Sequence, residues 1–148
     1  MRGFFEHQYL SFKKKSMRNL IAMAMSDGSL DPEEERFLYR VGARFGLKDR
    51  QITLLINSDK KFDLYVPATH LERMDQLYDL MQMIYADGLV HNNEVELCEE
   101  VVSRFGYAQE MVPWLLEIFR GNEHPDINRW RELCQEADQN FVTKNAGE

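Results

Sequence analysis

Five carboxylates fall within nine positions, Asp27, Asp31, Glu33, Glu34 and Glu35, in the stretch SDGSLDPEEE. Sixty residues on, ADGLVHNNEVE repeats the Asp-Gly corner and its later glutamate as Asp87, Gly88 and Glu94. Clustered carboxylates can hold a hard divalent cation, do acid–base work, or cap a helix. The spacing D-G-x-(apolar)-x-x-x-E matches the second half of an EF-hand loop. There a glycine allows the sharp turn and a glutamate six positions later chelates through both oxygens. The first and third ligand slots of such a loop would be Met23 and Met25, or Met83 and Tyr85. None of these is a hard oxygen donor, so a complete calcium loop is excluded. What remains is a half-site for a divalent cation (Ca²⁺, Mg²⁺ or Mn²⁺): Asp27 and Glu34, with Asp31 and backbone carbonyls, and in the second copy Asp87 and Glu94. If the copies pack about a pseudo-twofold axis, the four outer carboxylates approach one another and a cation relieves their repulsion.

The simpler reading needs no ligand. Asp31 is a good N-cap, Pro32 suits the first helical position, and Glu34 falls where a capping-box carboxylate reaches back to the N-cap amide. His91, Asn92, Asn93 and Glu94 hold the same slots in the second copy, with a weaker cap. A softer site of His91, Glu94 and Cys98 would share a helix face. Cys98 stands sixty residues after Leu38, a core slot, and a free cysteine fills such a slot as a small apolar residue.

The elements that must position these residues are helices. At an offset of sixty, Leu20, Met23, Asp27, Gly28, Glu34, Val41, Arg44, Phe45, Gly46 and Leu55 fall on Leu80, Met83, Asp87, Gly88, Glu94, Val101, Arg104, Phe105, Gly106 and Leu115. Each copy, about residues 17–56 and 77–116, reads as helix, corner, helix, turn, helix. Apolar residues recur at helical spacing in Met17, Leu20, Ile21, Ala24 and in Leu77, Leu80, Met81, Ile84. Gly46 and Gly106 are placed to close the second helices in the left-handed conformation. Third helices are expected over about 49–57 and 108–120, where Pro113 would kink the helix unless it lies in the first turn. Residues 57–67 read as irregular, with Pro67 opening a helix near Ala68. A last helix runs over about 126–140, and residues 142–148 read as a fraying tail. The expected fold is all-α: one domain over 1–148, of seven or eight helices, with an internal two-fold pseudo-repeat.

Composition agrees. The 148 residues are 44% apolar and 29% charged, with four Pro and eight Gly, which suits helices joined by short turns. The net charge of −7 argues against nucleic acid as a partner. Two cysteines, Cys98 and Cys134, fit reduced thiols in a cytoplasmic protein, with a single pairing between them as the alternative. No apolar run is long enough to span a bilayer, and the N-terminus lacks a signal peptide's apolar region. Arg2, Lys13, Lys14, Lys15 and Arg18 against Glu6 give residues 1–20 a net +4, leaving −11 for the rest.

The pattern of Ala24, Ser26, Asp27, Gly28, Leu30, Glu34 and Phe45-Gly46, repeated in Ala86, Asp87, Gly88, Val90, Glu94 and Phe105-Gly106, resembles the TerB-like tellurite-resistance family. Related domains form the N-terminal part of membrane-anchored DnaJ-like co-chaperones. The resemblance covers about residues 17–120. It implies an all-helical fold with a pseudo-repeat, divalent-cation binding by Asp27, Glu34, Asp87 and Glu94, and a role in membrane-associated stress complexes rather than catalysis. His91-Asn92-Asn93 is poorer in acid than the first copy, which departs from a symmetric site.

The arm over residues 1–16 interleaves Phe4, Phe5, Tyr9, Leu10 and Phe12 with a lysine cluster. It reads first as packing on the bundle, and otherwise as a protein, homodimer or peripheral membrane contact. No Walker, nucleophile-elbow or zincin motif is present, and His7, His70, His91 and His124 are scattered, reading as surface residues rather than catalytic ones. Trp114 and Trp130 read as core or interface residues. The expected function is a non-enzymatic interaction and stress-response module with a protein partner. A metal sensor or buffer is the alternative, and a hydrolase using the acidic cluster a remote one.

Overall fold

The computed structural model describes residues 15–22, 24–25, 30–44, 46–57, 65–85, 90, 92–121 and 124–143. Among these the protein is all-helical, with seven helices. They are α1 (15–22, with residue 24 again helical), α2 (Pro32–Arg44), α3 (Asp49–Ile56), α4 (His70–Ile84), α5 (Asn92–Arg104), α6 (Met111–Ile118) and α7 (Ile127–Asn140). The chain divides into two compact units, Met1–Tyr65 with α1 to α3 and Val66–Glu148 with α4 to α7.

In the first unit, Met17, Leu20, Ile21 and Ala24 of α1 are buried, as are Phe37, Leu38 and Val41 of α2 and Ile52 of α3. The i, i+3, i+4 spacing of these residues forms the apolar stripe that the core needs. α2 ends in a Schellman turn. Leu47 N–H donates to Gly42 O at 2.8 Å and Gly46 N–H to Ala43 O at 3.0 Å, with Gly46 at φ +81°. Leu47 is then buried at the corner. Helices α2 and α3 pack so closely at Gly42 that a Cβ there would lie 2.2 Å from Ile52 Cδ1. The connection back to α1 is locked by Asn19, whose amide donates to Tyr65 O at 2.7 Å and accepts from Tyr65 N–H at 3.0 Å.

In the second unit, α5 ends in the same way. Tyr107 N–H donates to Val102 O and Gly106 N–H to Ser103 O, with Gly106 at φ +90°. α4 begins at His70, two residues later than Pro67 alone would place it. Thr69 is the N-cap, accepting from Glu72 N–H at 3.1 Å while its hydroxyl donates to the Glu72 carboxylate at 3.0 Å. Pro67 has no side-chain oxygen to do this. α6 spans Met111–Ile118, so Pro113 lies in its first turn and needs no kink. Ala108 lies outside α6, and its N–H donates to Phe141 O at 2.7 Å. With Thr143 N–H to Gly106 O, this forms a bridge between Tyr107 and Val142. The start of the expected tail is thereby held; residues 144–148 lie outside the described residues. Tyr78, Phe119 and Trp130 meet edge-to-face, with centroids 5.0–5.7 Å apart, and join α4 to the start of α7. Trp130 is buried, and half-buried Trp114 packs on the Phe141 ring.

Candidate functional site

The first corner delivers Asp31 and Glu34 at the head of α2. The Asp31 carboxylate accepts from Glu33 N–H at 3.1 Å, the Glu34 carboxylate accepts from Asp31 N–H at 3.3 Å, and Asp31 O accepts from Glu35 N–H at 2.9 Å. Asp31 is thus the N-cap that the Asp-Pro-Glu-Glu run predicts, and Glu34 makes the return bond of a capping box, while the Asp31 carboxylate takes the second helical N–H and not the third. Glu33, beside it, pairs with Arg36 on the surface. Glu34 turns inward and is only 8% exposed. Glu94, the third residue of α5 as Glu34 is of α2, is 7% exposed.

Asp27, Gly28, Asp87, Gly88 and His91 lie outside the described residues, as does the arm through residue 14. Among the described residues no group of three or more His, Cys, Asp or Glu stands close enough to hold a metal ion. Cys98 is 1% exposed and its thiol donates to Met81 Sδ at 3.9 Å. Burial first, then the charges of Glu94 and Glu99, push that thiol up to about 12, so it stays protonated at neutral pH. Cys98 therefore fills the core slot that its register predicts. Burial also pushes Cys134 up to about 11.

Two polar residues matter more than their sequence signal shows. His70 is half-buried rather than a plain surface residue. Its Nε2 lies 2.8 Å from Cys134 O and its Nδ1 2.6 Å from Tyr107 Oη. A carbonyl only accepts, so Nε2 carries the proton, and in the neutral ring Nδ1 accepts from Tyr107. One imidazole thus ties the start of α4 to α7 and to the turn after α5. Gln76, inside α4, is 3% exposed, and neither its amide nitrogen nor its oxygen has a hydrogen-bond partner. An isolated glutamine on a helix carries no local pattern that would have marked either fact.

A concavity of 390 Å³ lies at the start of α7, lined by Ile118, His124, Pro125, Asp126, Arg129 and Leu133. Its polar groups are already engaged: Asp126 caps α7 through Arg129 N–H at 2.8 Å and the Arg129 guanidinium pairs with Glu132 at 3.0 Å. Burial lowers the His124 pKa. No nucleophile faces a base among these residues.

The described residues define an all-α protein with a buried glutamate in the first turn of α2 and of α5. The family model described as "Tellurite resistance protein TerB" matches residues 11–56, and supports a TerB-like assignment for the chain. The match covers α1 to α3 and the first corner; the second corner lies beyond it. No curated protein and no solved structure matches. Among the described residues, no helix is long and apolar enough to cross a membrane.

Proposed function

We propose that the chain is a non-enzymatic, TerB-like interaction and stress-response module of the cytoplasm. Its duplicated Asp-Gly…Glu corners take a divalent cation, through Asp27, Asp31 and Glu34 in one copy and Asp87 and Glu94 in the other. The observation that carries this reading is the burial of Glu34 and Glu94, at 8% and 7% exposure, each six residues after an Asp-Gly glycine. A cation offsets more of the cost of keeping a charge out of water for a buried carboxylate than for an exposed one. The TerB match over the first corner supports the class, and the second corner repeats its residues sixty positions on. A cation there would stiffen the corner and stabilise the fold by mass action. The chain then acts as one domain, in which the pseudo-repeat is the structural unit, and its work is to bind a protein partner.

The test is a titration of the protein with Ca²⁺, Mg²⁺, Mn²⁺ and Zn²⁺, followed by calorimetry and amide shifts. The expected result is binding, with a rise in Tm, that is lost in the Asp27→Asn, Asp87→Asn double variant. Absence of heat and shifts at about 1 mM, where only the weakest calcium modules bind, would leave the corners as helix caps alone. Binding that survives the double variant would move the site elsewhere.

A further inference from the structure

The two units carry opposite net charge. Counted along the chain, Met1–Tyr65 has +3 and Val66–Glu148 has −10. The difference reaches equivalent positions. Arg36, Tyr39 and Arg40 line the outer side of α2, and sixty residues later Glu96, Glu99 and Glu100 line the outer side of α5. Both arginines and all three glutamates are exposed, and Tyr39 is half-buried.

Each face extends onto the next helix. The Tyr39 hydroxyl meets Thr53 Oγ1 at 2.6 Å, which continues the α2 face into α3, where Lys48 and Arg50 are exposed and Leu54 is 64% exposed. Gln109 donates to Glu99 O at 2.9 Å, which continues the α5 face toward α6, where Glu110 and Glu117 are exposed beside exposed Pro113. The basic face holds Glu33, Glu35 and Asp49 as well, and the acidic face Arg104 and Arg120. The balance of the named residues is still cationic on one face and anionic on the other. The local pairs, Arg36 with Glu33 and Arg120 with Glu117, are exposed i, i+3 contacts. Such pairs contribute little and exchange readily for a better partner.

We propose that copies of this chain associate heterologously, the basic α2–α3 face of one copy receiving the acidic α5–α6 face of another. The faces match in scale. Each is a 13-residue helix followed by an 8-residue one, so the longer edge is about 20 Å at 1.5 Å per residue. A polyanion such as nucleic acid or an anionic membrane fits less well, because the same chain would bring −10 of its own charge to that surface. A second copy brings the complementary face at equal concentration, and a contact between two different patches propagates to further copies. The inference rests on the reading of the chain as an interaction module and names its partner. It is independent of cation binding, whose failure shows in the titration above and not here.

Sedimentation equilibrium of the full chain, at low salt and at about 0.5 M salt, tests it. The expected result is weak self-association that falls about tenfold across that range, as exposed charges are screened. The Arg36→Glu, Arg40→Glu variant presents two acidic faces, and the Glu96→Arg, Glu100→Arg variant two basic ones. Each is expected to be monomeric alone, and the equimolar mixture to regain association. A monomeric wild type at millimolar concentration overturns the proposal, whether or not it binds anionic vesicles. So does wild-type association in both variants, or a mixture of folded variants that stays monomeric. If a variant fails to fold, amide shifts of the wild type on dilution decide instead. Shifts confined to α2–α3 and α5–α6 support the contact, and shifts elsewhere overturn it.

Discussion

Gly42 sits inside α2, where glycine costs about 1 kcal/mol relative to alanine. On helix propensity alone, Gly42→Ala should stabilise the protein. The packing says the opposite. A Cβ at Gly42 would lie 2.2 Å from Ile52 Cδ1 and 2.8 Å from Ile52 Cγ1, with Met17 Cε at 3.8 Å. Ordinary contact begins near 3.4 Å, so Ile52 would have to move by more than an ångström. It cannot swing into solvent, because it is 0% exposed. Overpacking of this kind costs about 1–3 kcal/mol, against the roughly 1 kcal/mol gained. The displacement also strains the corner, since Gly42 O accepts the Leu47 N–H of the Schellman turn at 2.8 Å. The expected net loss is up to about 2 kcal/mol, or a few degrees of Tm for a chain of this size. Ile52→Val removes Cδ1 and should cost about 1 kcal/mol alone. Combined with Gly42→Ala it should recover stability, with a coupling of about 1 kcal/mol by a double-mutant cycle. Urea melts of the four proteins measure this. A Gly42→Ala protein more stable than wild type, or two losses that simply add, refutes the close-approach argument.

Gln76→Met should raise stability by about 1–3 kcal/mol in the same melts, because it removes a buried amide whose two polar atoms have no partner; a loss would show that the amide is satisfied in solution. Cys98 and Cys134, with thiols pushed up to about 12 and about 11 by burial, should resist a thiol reagent at pH 8 in the native protein and react once urea unfolds it. Burial raises the Asp75 pKa above 3.8 in the fold, so its ionised form is disfavoured there, and that penalty is fully present above the folded value and vanishes as pH falls below the unfolded one. Asp75→Asn, which still accepts from Trp130 Nε1, should therefore raise Tm at pH 7, with the gap closing toward pH 3. Glu34→Gln keeps an acceptor for Asp31 N–H and removes the charge; it should abolish any cation-induced rise in Tm while costing under about 1 kcal/mol without cation.

The helices were legible because their signals are local. Asp31-Pro32 opened α2, Gly46 and Gly106 closed α2 and α5, and the apolar spacing picked out Leu20, Leu38, Leu80 and Val101 as buried. Most of what escaped was set by distant partners. Thr69 with Glu72 is a capping pair that the sequence does contain, yet Pro67 is the louder signal and pulled the start of α4 two residues early. Ala108, expected to open α6, pairs instead with Phe141, thirty-three residues away. His70 is fixed by Tyr107 and Cys134, and neither distance can be read from a helical wheel.

The corner illustrates how far a cap accounts for a glutamate. Capping needs only an acceptor near the Asp31 N–H, and an exposed carboxylate supplies one at little cost. Glu33 and Glu35 already set negative charge against the α2 dipole from more exposed positions. Glu34 performs its capping bond from the interior, at 8% exposure and a donor distance of 3.3 Å, toward the long end for such a bond. Glu94, at the same position of α5, is buried to the same degree. If the proposed cation binds there, the charge of Glu34 serves the cation and its hydrogen-bond acceptor serves the cap. That is why charge removal at Glu34 with its hydrogen-bond acceptor retained separates the two roles, and a truncation to alanine would not.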